Sequence, residues 1–349
     1  MTTTNNPSGS RLTSLDILRG ADLFLLTIIG PIIHKLWGYG GTPFLDQFTH
    51  CQWEGFVLWD LIMPLFIFMS GVTIPFSMAK YKRGDLPKSK ALIRIARRVI
   101  LFWILGMICQ GNLLKFQWNT TYFYCNTLHS IAIGYAACAL MFLYVKKPLT
   151  HILIGVSLLI AYWAAVMFIG IDGYGKGNMT PTGNLCYWID TNVFGIHRNP
   201  KSQYTWILSS LTFIVSAIMG MLSGELLKSG RNHKSAILLA SGILCVAAGW
   251  LWGLELPVIK KIWTSSMTLV AGGWSLILLA GSYALFDESA YREGFRKAFG
   301  WLKVFGMNAI LSYLILEIGA LCHIGTWWTV TAEIVILTIF YKLKIFLKI

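Results

Sequence analysis

A chain of 349 residues with 56% hydrophobic residues, 15 tryptophans and only 13% charged residues is not a pair of soluble domains, which carry about 25% charge. Its apolar runs of about 20 residues match a hydrocarbon core roughly 30 Å thick and are too long and continuous for alternating barrel strands. The expected fold class is therefore an all-α polytopic membrane bundle, and the formal charge of +14 points to sidedness rather than to nucleic acid, because the basic residues are distributed by side of the membrane.

Residues 1–10 form a polar tail expected to be disordered and cytoplasmic, and no cleavable signal peptide is expected after it. Span one, Ile17–Leu36, opens with Arg19 between Asp16 and Asp22 at spacings of three, which places all three on one helical face. Internal pairing and ligand binding both fit that set. Span two, Glu54–Met78, is introduced by FTHCQWEGFVLWD, so His50, Glu54 and Asp60 sit at one mouth of an apolar run. A carboxylate in hydrocarbon is costly, so Asp60 is either functional or held by hydrogen bonds inside the bundle. His50 adds a side chain that titrates near neutrality. Eight Lys and Arg residues between Lys80 and Arg98 assign the next segment to the cytoplasm, which puts His50 on the extracytoplasmic side.

Span three covers Val99–Leu114. Span four, Asn126–Val145, carries His129 one turn inside the outer face, and span five is Leu149–Gly170. The hydrophilic stretch Ile171–Tyr204 is long enough to be a lid, a binding loop or a disordered connector. Trp188 within it could stack on a sugar or anchor at the interface. Spans six and seven are Trp206–Lys228 and Ala236–Leu254; the turn after them holds Glu255, Lys260 and Lys261. That basic turn on the outer side violates the charge rule, which suggests pairing with an acidic group or an anionic ligand. Spans eight to ten are Ile262–Leu285, Phe299–Leu321 with Asn308 and Glu317, and Trp327–Tyr341. Ten spans with both termini cytoplasmic leave only seven of the 29 basic residues outside and one within a span. Residues 11–349 are thus expected to be one transmembrane domain with an outer loop at 171–204.

The seven cysteines show no metal spacing, and no metal is expected. Cys125 and Cys186 fall on the same side, so a disulfide stays open, although free thiols fit apolar packing better. There is no P-loop, no GxGxxG beside a strand and no GxSxG elbow. An imidazole near neutral pH suits proton removal from an amine or hydroxyl during acyl transfer, or it could carry the acyl group itself. Ten residues separate His50 from Asp60, so the two meet only if the loop folds back over the helix mouth. A phosphate-bearing acyl donor would be drawn to Arg19 and to the Lys80–Arg98 segment, though topology alone accounts for most of that segment.

RLTSLDILRG followed by THCQWEGFVLWDLIMPLFIFMSGVTIPFSM resembles the heparan-α-glucosaminide N-acetyltransferase family, including its bacterial DUF5009-type members. NTLHSIAIGY, KKIWTSSMTLVAGG and GMNAILSYL are similar to later family segments in the same order. The resemblance implies a bacterial inner-membrane enzyme that moves an acetyl group from cytosolic acetyl-CoA to the amine of a terminal glucosamine-type sugar on the far side. It implies His50 as the catalytic histidine, with Asp60 beside it, and Trp53, Gly55 and Pro64 matching the same pattern. Arg19, Arg97, Arg98 and Asn308 are the expected donor-binding residues; Trp53, Glu54, His129 and Trp188 are the expected acceptor-binding ones. Two departures stand out: Glu54 replaces the Asn of the usual W-N-G, and no Asn lies between Ile17 and Trp59. The partner that orients His50 is left open by them, as is a homodimer. O-acylation of a surface polysaccharide and transport of a sugar or lipid-linked glycan remain as alternatives, the latter weakened by the lack of an evident internal repeat.

Overall fold

The structure, a computed structural model, describes residues 12–347; the tail expected at residues 1–10 lies outside them. Among the described residues the secondary structure is helical, with one isolated bridge between Ile171 and Gly175. The long helices are α1 (Thr13–Trp37), α2 (Leu58–Arg83), α3 (Lys88–Gln110), α4 (Thr127–Tyr144) and α5 (Pro148–Phe168). A short helix, α6 (Leu185–Phe194), precedes α7 (Ser210–Lys228), α8 (Lys234–Trp252) and α9 (Ser265–Glu288). The chain ends through α10 (Arg292–Met307), α11 (Ala309–Leu321) and α12 (Thr326–Lys342).

Seven of these helices are long and apolar enough to cross a membrane, or eight if α10 and α11, bent by 64° at Asn308, count as one broken span. The remaining expected spans are also helical. Helix α3 carries Arg94, Arg97 and Arg98 in its first half, and α12 has only 17 residues. The stretch Ile171–Tyr204 is not a featureless loop, since it contains α6.

Apolar helices in lipid gain little from leaving it for one another, so close packing and polar contacts hold them together. Helix α2 lies against α7 with glycines at the crossing: a Cβ on Gly220 would fall 1.9 Å from the Phe68 carbonyl oxygen, and one on Gly71 2.1 Å from that of Ala217. Ile67, Tyr135, Phe213, Ala217 and Met267 fill the centre between α2, α4, α7 and α9. By contrast α5 and α8 expose Leu153, Val156, Ile160, Ile243, Leu244 and Leu251, a lipid-facing rim. Cys125 and Cys186 are both buried and both free thiols.

Candidate active site

The position of Asp60 follows from how α2 starts. Gln47 folds back over the helix mouth, its carbonyl accepting from Trp59 N and its side-chain oxygen from Leu58 N, so two of the amides a helix leaves unpaired at its first turn are satisfied. Asp60 occupies the third helical position and its Oδ2 reaches back to the amides of Val57 (3.3 Å) and Cys51 (3.5 Å). A carboxylate there faces the positive end of the helix dipole. Phe48 is buried against Trp59, and the turn between them swings His50 over the mouth. Its Nδ1 lies 2.8 Å from Asp60 Oδ1. A carboxylate only accepts, so Nδ1 carries the proton and Nε2 the lone pair.

Gly55 and Trp53 tie this loop to two others. Gly55 sits at φ +116°, a conformation that favours glycine, and its amide donates to the Val258 carbonyl at 2.8 Å. Trp53 Nε1 donates to the Met179 carbonyl at 2.7 Å. The first tether draws in the turn between α8 and α9, which Thr264 stitches by accepting from Ile259 N and Met267 N. That turn delivers Lys260, buried, with Nζ 3.2 Å from His50 Nδ1 and 3.5 Å from Asp60 Oδ1. Lys261 beside it donates to the Gln52 carbonyl and to Gln203 Oε1.

Burial lowers the His50 pKa from its ordinary value; the Asp60 hydrogen bond opposes the shift and the Lys260 charge adds to it. Burial likewise pushes Lys260 down to about 8, against the pull of Asp60. The Cys51 thiol, desolvated and near Asp60, is pushed up to about 11 and stays protonated. At neutral pH the ring is therefore an uncharged base held between a carboxylate and an amine.

His50 lines a cavity of about 1020 Å³ that also touches Trp59, Met63, Ser70, Thr73 and Ser77 along α2, and Arg19, Arg94 and Arg98. From Trp59 to Ser77 the helix rises about 27 Å, close to the thickness of a bilayer core. One end is bounded by His50, Lys201, Gln203, Tyr204, Lys260 and Lys261, the other by the arginines. Tyr204 meets the His50 ring edge-on at 6.4 Å. Arg98 stacks over Tyr135 at 4.1 Å.

Of the residues singled out in the sequence, His50, Asp60, Arg19 and Arg98 gather at or along this cavity, Asp60 through its bond to His50. Arg97 is exposed on the other side of α3 and does not line the cavity; Arg94, one helical turn before Arg98, does. Asn308 turns away to the C-terminal segment, with Nδ2 donating to the Ile345 carbonyl and Oδ1 accepting from Leu347 N. His129 is a fully buried staple: Nδ1 accepts from Cys125 N, Nε2 donates to the Trp103 carbonyl, and the ring stacks on Trp103 at 4.6 Å. Trp188 is exposed on α6, Glu54 is exposed on its loop, and Trp53 serves as a tether. Lys260 was not expected at the site, although its signal was there as a basic turn on the side expected to be extracytoplasmic. The structure resolves that anomaly as pairing with an acidic group, Asp60. Among the described residues no group of three His, Cys, Asp or Glu could hold a metal ion.

Comparison with known proteins adds an independent line. The model of the family described as a domain of unknown function, DUF5009, matches residues 11–174, which contain the whole His50 and Asp60 segment. Two mammalian proteins named heparan-alpha-glucosaminide N-acetyltransferase align with most of the chain. The mouse protein is 22% identical over 89% of this chain and 54% of its own length. The human protein is 24% identical over 87% and 52%. The chain thus spans about half the length of the curated relatives it matches.

Proposed function

We propose, from the similarity of the chain to the DUF5009 model and to the heparan-alpha-glucosaminide N-acetyltransferases, that it is a membrane acetyltransferase. It carries an acetyl group from cytosolic acetyl-CoA to the amine of a glucosamine-type sugar on the opposite side. The observation that carries this is one continuous cavity along α2, with arginines at one end and a carboxylate-held imidazole at the other. In this reading the chain crosses the membrane ten times, both termini are cytoplasmic, and the bilayer is a bacterial inner membrane. The Lys80–Arg98 segment sets that orientation.

The chemistry follows from the atoms at the outer mouth. Arg94, Arg98 and Arg19 hold the phosphates of the donor, and its extended arm lies along α2 so that the thioester carbonyl comes up to His50. The acceptor amine attacks that carbonyl while Nε2 of His50 removes its proton. The C–S bond then breaks and the imidazolium returns the proton to the departing thiolate, so the ring ends the cycle neutral. Asp60 keeps Nδ1–H in place and stabilises the ring while it is charged. Lys201, Gln203 and Tyr204 edge the acceptor side.

The test is to incubate purified protein with radiolabelled acetyl-CoA and a panel of amino sugars and their hydroxyl-only counterparts. Label transferred to amine acceptors, and lost in His50→Ala, supports the proposal. Label transferred only to hydroxyls, or none with any acceptor, contradicts it. Acetylated protein isolated without acceptor would indicate that His50 carries the acetyl group itself.

A further inference from the structure

Neither the family pattern nor the charge arithmetic assigns a task to Lys260. It is buried beside two functional groups, and a buried ammonium is retained only where something compensates its lost hydration. Its turn is brought there by the Gly55 N to Val258 O bond, and its Nζ lies on the Nδ1 side of the His50 ring, against Asp60 Oδ1. It borders the cavity, yet its polar contacts are on the ring edge opposite Nε2, the atom available to substrate, so its action on the base runs through the ring and Asp60.

Three groups share this pocket: one carboxylate, one imidazole and one amine. With the carboxylate and imidazole alone, a proton taken from solvent would settle on the ring as an Asp60–His50 ion pair, and an imidazolium cannot act as a base. With the amine present the intrinsically stronger base takes that proton. The carboxylate is then balanced by an ammonium and the ring is left neutral. The other ionisable groups near Lys260 do not replace it in this role. Cys51 stays a thiol, Lys261 is engaged with Gln52 and Gln203, and Asp22 on α1 is the smallest of the named influences on Lys260, behind Asp60.

We propose that Lys260 is a positioning residue for His50: its ammonium neutralises Asp60, so the imidazole holds a proton only during transfer and is reset to the neutral base afterwards. A second consequence concerns the tautomer. An ammonium donating to Asp60 leaves Nδ1–H to the same carboxylate, whereas one donating to Nδ1 would force the proton onto Nε2 and remove the base. The 2.8 Å His50–Asp60 contact, shorter than the 3.2 Å approach of Lys260 to the ring, favours the first arrangement.

This inference rests on the acetyl-transfer reading only for its rate measurement, and the titration of His50 tests it separately. Diethyl pyrocarbonate modifies neutral imidazole, so its rate at the His50 peptide, followed by mass spectrometry against pH in the purified full chain, gives the midpoint of His50. In Lys260→Met that midpoint should rise by about one unit or more, while Lys260→Arg, which keeps the charge, should titrate with the unsubstituted protein. Lys260→Gln serves as a second uncharged variant should the Met protein aggregate. In acetyl transfer the acidic limb of kcat/KM should move up in parallel, with rate recovered at higher pH. An unmoved midpoint in the uncharged variants, or a rate lost equally at every pH, would overturn the proposal. If the unsubstituted protein acetylates nothing, the acetyltransferase reading fails, and the midpoints still decide the role of Lys260.

Discussion

His50 and Asp60 are the smallest unit on which the account depends. His50→Ala should lower acetyl transfer by about 10²–10⁴-fold, the range for a lost general base, while acetyl-CoA still binds at the arginine end. Rates and equilibrium binding measured on the same preparation check both halves. Asp60→Asn keeps the size of the side chain but offers Nδ1–H a weaker acceptor, so a loss of at least about 100-fold in kcat is expected. The sign of the pH response is fixed by the lowered value of His50. The ring stays neutral below its ordinary pKa, so activity persists into mildly acid solution and falls only as pH drops through the lowered value. Stability follows the same direction, because the unfolded chain takes up the proton first and favours unfolding as pH falls below about 6.5. The residue types at this mouth were legible in the sequence, but the contact between them was not. It needs Gln47 to fold back over the helix mouth and Phe48 to pack on Trp59, and loop closure of that kind leaves no periodic trace.

At the scale of elements, two loops and one helix pair hold the mouth together. Gly55→Ala places a side chain at φ +116° and strains the amide that pairs with Val258. It should cost transfer about tenfold or more while lowering thermal stability only modestly, by about 1–2 kcal/mol, because the strain lies in a loop; kinetics and thermal unfolding in detergent separate the two. His129→Ala should do the reverse. It removes the partners of Cys125 N and the Trp103 carbonyl and the stack on Trp103, so it should destabilise by about 2–4 kcal/mol with KM for either substrate little changed. The helices could be read from apolar runs of spanning length, and their breaks could not. Asn308 looked like a polar group facing the site, yet it marks the bend between α10 and α11 and holds the C-terminal segment. Arg97 and Arg98 are neighbours in sequence, but on a helix only one of two adjacent residues can face a given groove. Arg98 and Arg94, four apart, share that face.

For the whole molecule, the cavity joins two chemistries that composition shows only as separate charge patterns. The double substitution Arg94→Ala/Arg98→Ala should raise KM for acetyl-CoA about tenfold or more, with kcat nearly kept, since these groups bind donor without touching the reacting carbon. Ser70→Trp, midway along α2 and lining the cavity, should block the passage and abolish transfer while the His50 midpoint stays unchanged. The central claim is that the passage links the two sides of the membrane. Its most direct test uses sealed proteoliposomes of defined orientation, with labelled acetyl-CoA supplied only on the Arg94 side and an amino sugar only on the His50 side. Acetylated sugar should appear on the side that never received acetyl-CoA, and at least about 100-fold more slowly with His50→Ala. Transfer that occurs only when both substrates share one side, or that proceeds undiminished without His50, would contradict the account.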